Sequence, residues 1–431
     1  MNYIESVKIE GFWGRKNVSL KFHHDLNFLI GENGSGKTTV INLISAVLRA
    51  DIPLLYSLQF DKVMIKLKTV DSRKKPSIKV VKKTNPNTRI IELIYTIKEK
   101  ASEKGTTYGV ESLDERRLYR NDIKYPPSRW RRDVGSRLSG ILSDLVEINW
   151  LSIHRTNAEL ERRNRREDAY ESPMDYKLKD LSNQFSRFFS LLNSNAEKEV
   201  KNFQELVFLS LLDQKYPSET KTMRELQLMG KAEHEQSLVT VLKDLGVEDK
   251  KAKESVRSHS ARKEEAVKKI SNSIRLSYKD AISLSDAARV DGMIEKWQDF
   301  QIKRKDIFLP KTHFEDIINE LFSGKKIHFN NRNEPELHLE GDEIIEIDAL
   351  SSGEKQLFIL LGETLLQEDR PVVFISDEPE ISLHVKWQSE LFRHIRSLNR
   401  SCQIISATHS PDIVGAFQER VIRIEECISD A

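Results

Sequence analysis

The sequence predicts an α/β fold: a mixed sheet flanked by helices, joined to an antiparallel β-subdomain and interrupted by a helical insertion lobe. Three observations predict it. Apolar strand patterns that run into polar loops and amphipathic helices occur near both ends of the chain. Alternating apolar and polar segments between residues 61 and 100 read as an antiparallel meander. A long, densely charged block with helical spacing separates the two ends. The expected divisions are 1–155 for the first part of the α/β core, 156–322 for the helical lobe and 323–431 for the returning part of the core.

A chain of 431 residues is long for one compact domain and suits two lobes. A net charge of +2 conceals 69 basic and 67 acidic residues, a density that implies solvated helices in a soluble protein. No apolar run approaches the roughly 18–20 residues of a membrane span, so no membrane association is expected. The opening MNYIESVKIEG lacks the basic leader and apolar core of a signal peptide. Cys402 and Cys427 are the only cysteines and lack metal-ligand spacing, which excludes a disulfide framework and fits a reducing cytoplasm.

Along the chain, IESVKIEGFWGRKNVSLKF reads as two short strands around a Gly-containing turn, and LNFLI as a buried strand. Val40, Leu43, Ile44 and Val47 have the spacing of a helix. The meander carries 12 Lys/Arg against 4 Asp/Glu between Asp61 and Lys100. Lysines guarding exposed strand edges explain this charge, and so does a polyanion-binding face. From Pro173 to Phe322 the apolar spacing at Leu178, Leu181, Phe185 and Phe188 is helical. No sustained heptads are visible, so short antiparallel hairpins are expected rather than a long coiled coil. Strand patterns return at KKIHF, ELHLE and EIIEI, with seven acidic residues and no basic one between Glu334 and Asp348.

The residues from Gly31 to Thr38, GENGSGKT, match G-x-x-x-x-G-K-[ST] in full, between an apolar strand and an amphipathic helix. Gly34 and Gly36 let backbone N–H groups, including those of Asn33 and Ser35, close on phosphate oxygens at the helix N-terminus. Lys37 would reach the β- and γ-phosphates, Thr38 would ligate Mg²⁺, and Thr39 would donate to the α-phosphate. PVVFISDEPE is a buried parallel strand ending in carboxylates, which can surface only at its C-terminal edge, where ligands bind. Asp377 would then hold Mg²⁺, and Glu378 would orient or deprotonate the attacking water. His409 follows a second such strand, placed to contact the γ-phosphate and Glu378. In LSSGEKQ, Ser351, Ser352, Gly353 and Glu354 open an apolar helical pattern. They read equally as a plain helix N-cap and as a second anion site, one that two chains packed head to tail would offer to each other's nucleotide.

The order of phosphate loop, LSSGE, apolar strand with DE, and His resembles the ABC-type ATPases, over the two ends of the chain. The resemblance implies an ABC-type P-loop ATPase head, ATP and Mg²⁺ as ligands, slow ATP hydrolysis, and ATP sandwiched in a head-to-tail dimer or an oligomer of dimers. LSSGE departs from LSGGQ as in the SMC-, RecF- and OLD-like branch, and DEPEISLH, with Glu380 and His384, is similar to the same branch. Ser382 to His384 would signal across the dimer. EINWLSIHRT places His154 or Arg155 where that family has a water-sensing Gln; Gln59 is the alternative. Phe12, Trp13 and Arg15 are candidate adenine or ribose contacts, though Trp13 reads equally as core. The chain ends 22 residues after His409, too few for the nuclease domain of OLD proteins. This shape resembles the stand-alone ATPase subunits of the PARIS and Septu antiphage systems, which implies a separately encoded nuclease or toxin partner and a phage-derived trigger. A RecF- or SMC-like nucleic-acid-binding ATPase is the alternative. A transporter head and a non-hydrolysing scaffold stand behind these.

Overall fold

The computed structural model describes residues 2–70, 72, 74–84, 91–100, 102–111, 137–151, 172–212, 232–272, 275, 277–341 and 343–430. The chain divides into two compact units, Met1–Ser186 with His313–Ala431, and Arg187–Thr312.

Among the described residues the first unit contains three sheets. Its strands are β1 (Asn2–Phe12), β2 (Lys16–Lys21), β3 (Leu26–Ile30), β4 (Lys62–Thr69), β5 (Ser77–Thr84), β6 (Ile91–Lys98), β7 (Thr106–Glu111) and β8 (Ile148–Leu151). After the insertion come β9 (Lys325–Phe329), β10 (Pro335–Leu339), β11 (Ile344–Ile345), β12 (Val373–Asp377), β13 (Gln403–Ala407), β14 (Val421–Arg423) and β15 (Ile428–Asp430). A five-stranded sheet has the order β14-β3-β13-β12-β8, and each of its pairings is parallel. Its strands come from both ends of the sequence, so the core is closed only when the termini meet. Burial on both faces explains why LNFLI, VFISD and QIISA are nearly continuous apolar runs. Leu29, Ala407 and Asp377 lie level on adjacent strands, which brings the residues that follow them to one edge.

The second sheet is antiparallel, ordered β15-β2-β1-β4-β5-β6-β7. One face, with Val7, Ile9, Val63, Ile65, Ile78, Val80, Leu93 and Tyr95 fully buried, packs with the helix Lys37–Arg49 into the main core. The opposite face carries Lys8, Lys21, Lys66, Lys79 and Lys98, whereas Lys82 of β5 turns to the core side and donates to the carbonyls of Leu55, Tyr56 and Leu58. β4 and β5 are interior strands, so edge protection does not account for their charge. Across one row stand Lys21, Ser6, Lys66, Ser77 and Lys98, and across the next Ser19, Lys8, Met64, Lys79 and Thr96. The third sheet, β11-β10-β9, bears the acidic segment.

The unit Arg187–Thr312 is helical. Among the described residues it holds a short hairpin, Ala232–Asp244 with Asp249–Ser271, as the sequence suggests. It also holds parts of two helices far longer than expected, Pro173–Leu212 of 40 residues and Tyr278–Leu321 of 44 residues, the latter passing through Pro310. In Pro173–Leu212 one stripe, Leu178, Leu181, Phe185, Phe188, Leu192 and Ala196, stays buried along the helix. The first turns of Pro173–Leu212 bury Leu178, Leu181 and Phe185 in the first unit. The boundaries between the two compact units, at 186 and 312, fall inside these helices. Within the helical unit Phe203, Trp297 and Phe300 form a ring cluster with centroids 5.2–5.3 Å apart. Among the described residues no helix is long and apolar enough to cross a membrane.

Candidate active site

The candidate site occupies the C-terminal edge of the parallel sheet, where β3, β12 and β13 deliver their loops together. Gly34 (φ 82°) and Gly36 (φ 101°) adopt left-handed backbone that disfavours any Cβ. A Cβ on Gly36 would also come within 3.0 Å of Trp13 and 3.1 Å of Phe12. Asn33 is exposed, while Ser35 and Thr39 are half-buried. Lys37 is buried and donates to the carbonyls of Gly31 (2.8 Å) and Glu32 (3.0 Å) in its own loop. Burial pulls its ammonium below the ordinary lysine range, against the opposite pull of Glu425, Glu378 and Asp377.

Thr38 Oγ1 donates to Asp377 Oδ1 at 3.0 Å, joining residues 339 positions apart. A hydroxyl and one carboxylate are hard oxygen donors suited to Mg²⁺, which takes few protein ligands and fills its shell with phosphate and water oxygens. Among the described residues there is no group of three or more His, Cys, Asp or Glu side chains that could hold a metal. Glu378 follows in the left-handed region (φ 48°), a conformation that costs a non-glycine residue on the order of 1–3 kcal/mol and persists only when its surroundings over-determine it. Here its N–H is bound to Ala407 O at 2.9 Å. Its carboxylate lies 3.6 Å from His409 Nε2.

LSSGEKQ forms the start of the helix Ser352–Leu365. Ser351 is its N-cap in a full capping box with Glu354: the Ser351 N–H and hydroxyl both donate to Glu354 Oε2, at 2.8 and 2.7 Å. Lys325 pairs with the same carboxylate at 2.9 Å. The local cap reading thus holds, and Glu354 is occupied within its own chain. The segment also packs on the acidic turn of that chain. Gln356 Nε2 donates to Pro379 O at 2.8 Å, and Gly353 meets the Ser382 carbonyl so closely that a Cβ would overlap it. Lys355 pairs with Asp175 at 2.6 Å and Glu363 with Lys177, fastening the first turns of the helix Pro173–Leu212 to this helix.

Of the aromatic candidates, Phe12 is fully buried and belongs to the core. Trp13 is 37 % exposed, in left-handed backbone, with its ring stacked on Phe12 at 4.6 Å and lying against Gly36 of the phosphate loop. Arg15 is exposed nearby in the chain. Gln59 is exposed, and its carbonyl accepts from Trp13 N at 3.3 Å. His154 and Arg155 lie outside the described residues.

One carboxylate at the site, Glu425, escaped the sequence reading, and another, Glu380, was read there only as a mark of kinship. Glu425 accepts from Glu32 N at 2.7 Å. The backbone N–H groups of Glu425 itself and of Glu32 hold its carboxyl below the usual range, with Lys37 adding to the effect. Glu380 binds the loop that carries His409. Glu425 sits 393 residues from its partner, with no motif around it. Glu380 stands in the DEPE string, which signals kinship but not a contact.

A family model described as AAA ATPase domain (AAA_15) matches residues 2–414. Among solved structures, the chain is similar to the Smc head domain with an extended coiled coil bound to the C-terminal domain of ScpA, from Pyrococcus furiosus: 15% identity over 100% of this chain and 96% of that one, with a TM-score of 0.42. It is also similar to the Smc head domain with a coiled coil and joint from Pyrococcus yayanosii, at 14% identity over 96% and 93% of the two chains, with a TM-score of 0.37.

Proposed function

The chain belongs to the AAA ATPase domain family, and from that premise we propose that it binds and hydrolyses MgATP between two head-to-tail copies of itself. The observation that carries this reading is the meeting at one sheet edge of Thr38 with Asp377 and of Glu378 with His409. Lys37 exchanges the carbonyls of Gly31 and Glu32 for the β- and γ-phosphates. The backbone N–H groups of residues 33–39 cradle the phosphate chain. When bound, Mg²⁺ neutralises charge on the phosphates, held by Thr38 and Asp377. Glu378 orients or deprotonates the attacking water, and His409 contacts the γ-phosphate and keeps Glu378 in register. Ser351 to Gly353 of the second copy close the pocket with the N-terminal end of their helix.

The biological role proposed is that of a regulatory subunit in a bacterial antiviral system, holding a separately encoded nuclease or toxin and releasing it on a phage-derived signal. Its support is the resemblance to the PARIS and Septu subunits. The attachment of the helix Pro173–Leu212 to the signature helix through Asp175 and Lys177 is compatible with it, since a partner that moves that helix would move LSSGE.

Phosphate release from the full chain tests the chemistry. Glu378→Gln is expected to lower kcat by about 10²–10⁴-fold, the usual worth of a general base, and to trap an ATP-bound dimer on size exclusion. Lys37→Ala abolishes nucleotide binding. Wild-type turnover by Glu378→Gln would end the reading. Co-purification with the products of neighbouring genes tests the regulatory role; failure to retain any of them sinks it.

One observation favours the second reading, a nucleic-acid-binding head. Lys8, Lys21, Lys66, Lys79 and Lys98 share one sheet face; no acid stands in their two rows, and none of the five is ion-paired among the described residues. Two strand spacings, about 10 Å, separate Lys21 from Lys66 and Lys66 from Lys98. If duplex DNA binds here, Lys66→Glu/Lys79→Glu abolishes the gel shift, and wild-type affinity falls steeply with salt. Binding that ignores both changes excludes this face.

A further inference from the structure

Glu380 has no part in the chemistry above, yet its carboxylate gathers the loop that carries His409. Its Oε1 accepts from Thr408 Oγ1 (2.6 Å), His409 N (2.8 Å) and Ser410 N (3.2 Å). Two of these donors are backbone groups, so the bonds fix the path of the main chain beneath the imidazole. The loop is also held from either side. Thr408, fully buried, donates its N–H to Leu29 O at 3.1 Å. Ser410 Oγ donates to Gln388 Oε1 at 2.7 Å, and Gln388 Nε2 returns to Leu383 O at 2.9 Å, closing a ring between the loop and the acidic turn. Glu378 is tied to the same loop by its own N–H, through Ala407 O. The 3.6 Å separation of Glu378 and His409 is therefore bounded by the main-chain N–H of residue 378 and the carboxylate of Glu380 on one side and by residues 407 to 410 on the other.

Plainer roles do not account for these bonds. The short helix Pro411–Val414 already has its N-cap in Ser410, whose Oγ accepts from Ile413 N. Among the described residues no Lys or Arg pairs with Glu380. We infer that Glu380 is a positioning residue for ATP hydrolysis: through Thr408, His409 and Ser410 it sets the imidazole of His409 against Glu378 and the γ-phosphate. This rests on the reading that Glu378 and His409 serve hydrolysis.

The test is phosphate release by the full chain with MgATP, for Glu380→Ala, Glu380→Gln, His409→Ala, the Glu380→Ala/His409→Ala pair and Glu378→Gln. Misplacing a reacting group by about 1 Å can cost on the order of 10²-fold. Glu380→Ala is expected to lower kcat by roughly 10- to 100-fold, with KM for ATP and nucleotide affinity within about twofold of wild type. Glu380→Gln keeps an acceptor oxygen and should recover to within about fivefold. The double variant should be no more than about twofold slower than His409→Ala, because both changes strike one unit. If Glu380→Ala fails to fold, Thr408→Val, which deletes one of the three donors, should show the same loss of kcat at constant KM. Three results overturn the inference alone: full kcat in Glu380→Ala or in its substitute, a raised KM at unchanged kcat, or losses that multiply in the double variant. Wild-type rates in Glu378→Gln and His409→Ala overturn the reading of the site and this inference with it.

Discussion

Gly353→Ala isolates how tightly the signature helix is seated on the acidic turn. Gly353 is the second residue of the helix Ser352–Leu365, and local propensity favours alanine there by up to about 1 kcal/mol. Against this, the added Cβ would overlap the Ser382 carbonyl and reach 3.5 Å from Trp387. The obstacle is backbone, and it cannot slide freely: Ser382 is held in left-handed geometry (φ 72°), Leu383 N donates to Glu380 O at 2.9 Å, and Gln388 grips Leu383 O. Overpacking of this kind costs about 1–3 kcal/mol, so after the propensity gain the net effect is a destabilisation of up to about 2 kcal/mol. The same substitution at Gly292, in the helix Tyr278–Leu321 with nothing within 4 Å, meets no obstacle and should stabilise by about 0.5–1 kcal/mol. Urea unfolding of the two variants beside wild type reads both signs. Phosphate release from Gly353→Ala should fall as the turn bearing Glu378 is displaced. A Gly353→Ala protein as stable and active as wild type would refute the close seating of helix on turn.

Trp13→Ala should raise KM for ATP by about tenfold while leaving kcat unchanged, since stacking of a base on an exposed aromatic is worth about 1–3 kcal/mol; steady-state kinetics reads the split. Stability should also depend on pH through Glu354. Burial pushes its carboxyl up, but the bonds from Lys325 and Ser351 outweigh that and hold it below its ordinary value of 4.5. A lowered folded-state pKa makes its contribution complete above about pH 4.5 and lost as pH falls through the folded value. Lys325→Met should flatten that acid loss in urea titrations between about pH 6 and 3.

The phosphate loop was legible in the sequence because its chemistry is local: Gly34, Gly36, Lys37 and Thr38 must follow one another for a strand to turn into a helix around phosphate. The DE pair was legible for a related reason, since a strand buried on both faces can end in carboxylates only at a ligand-facing edge. The grip of the site's other carboxylates and turns on distant segments was not. Glu380 to His409, Gln356 to Pro379 and Glu425 to Glu32 join residues 29, 23 and 393 positions apart, and hydrogen bonds of that separation leave no periodicity. The lysines of β4 and β5 show the same limit. Their charge is plain in the composition, but whether it guards an edge or paves a face depends on which strands lie beside them, and only the order β1-β4-β5-β6 decides it. The sequence by itself thus determined the parts whose physics acts within a few residues. Tertiary structure alone decided what those parts touch, because that depends on contacts formed only once both ends of the chain have closed one sheet.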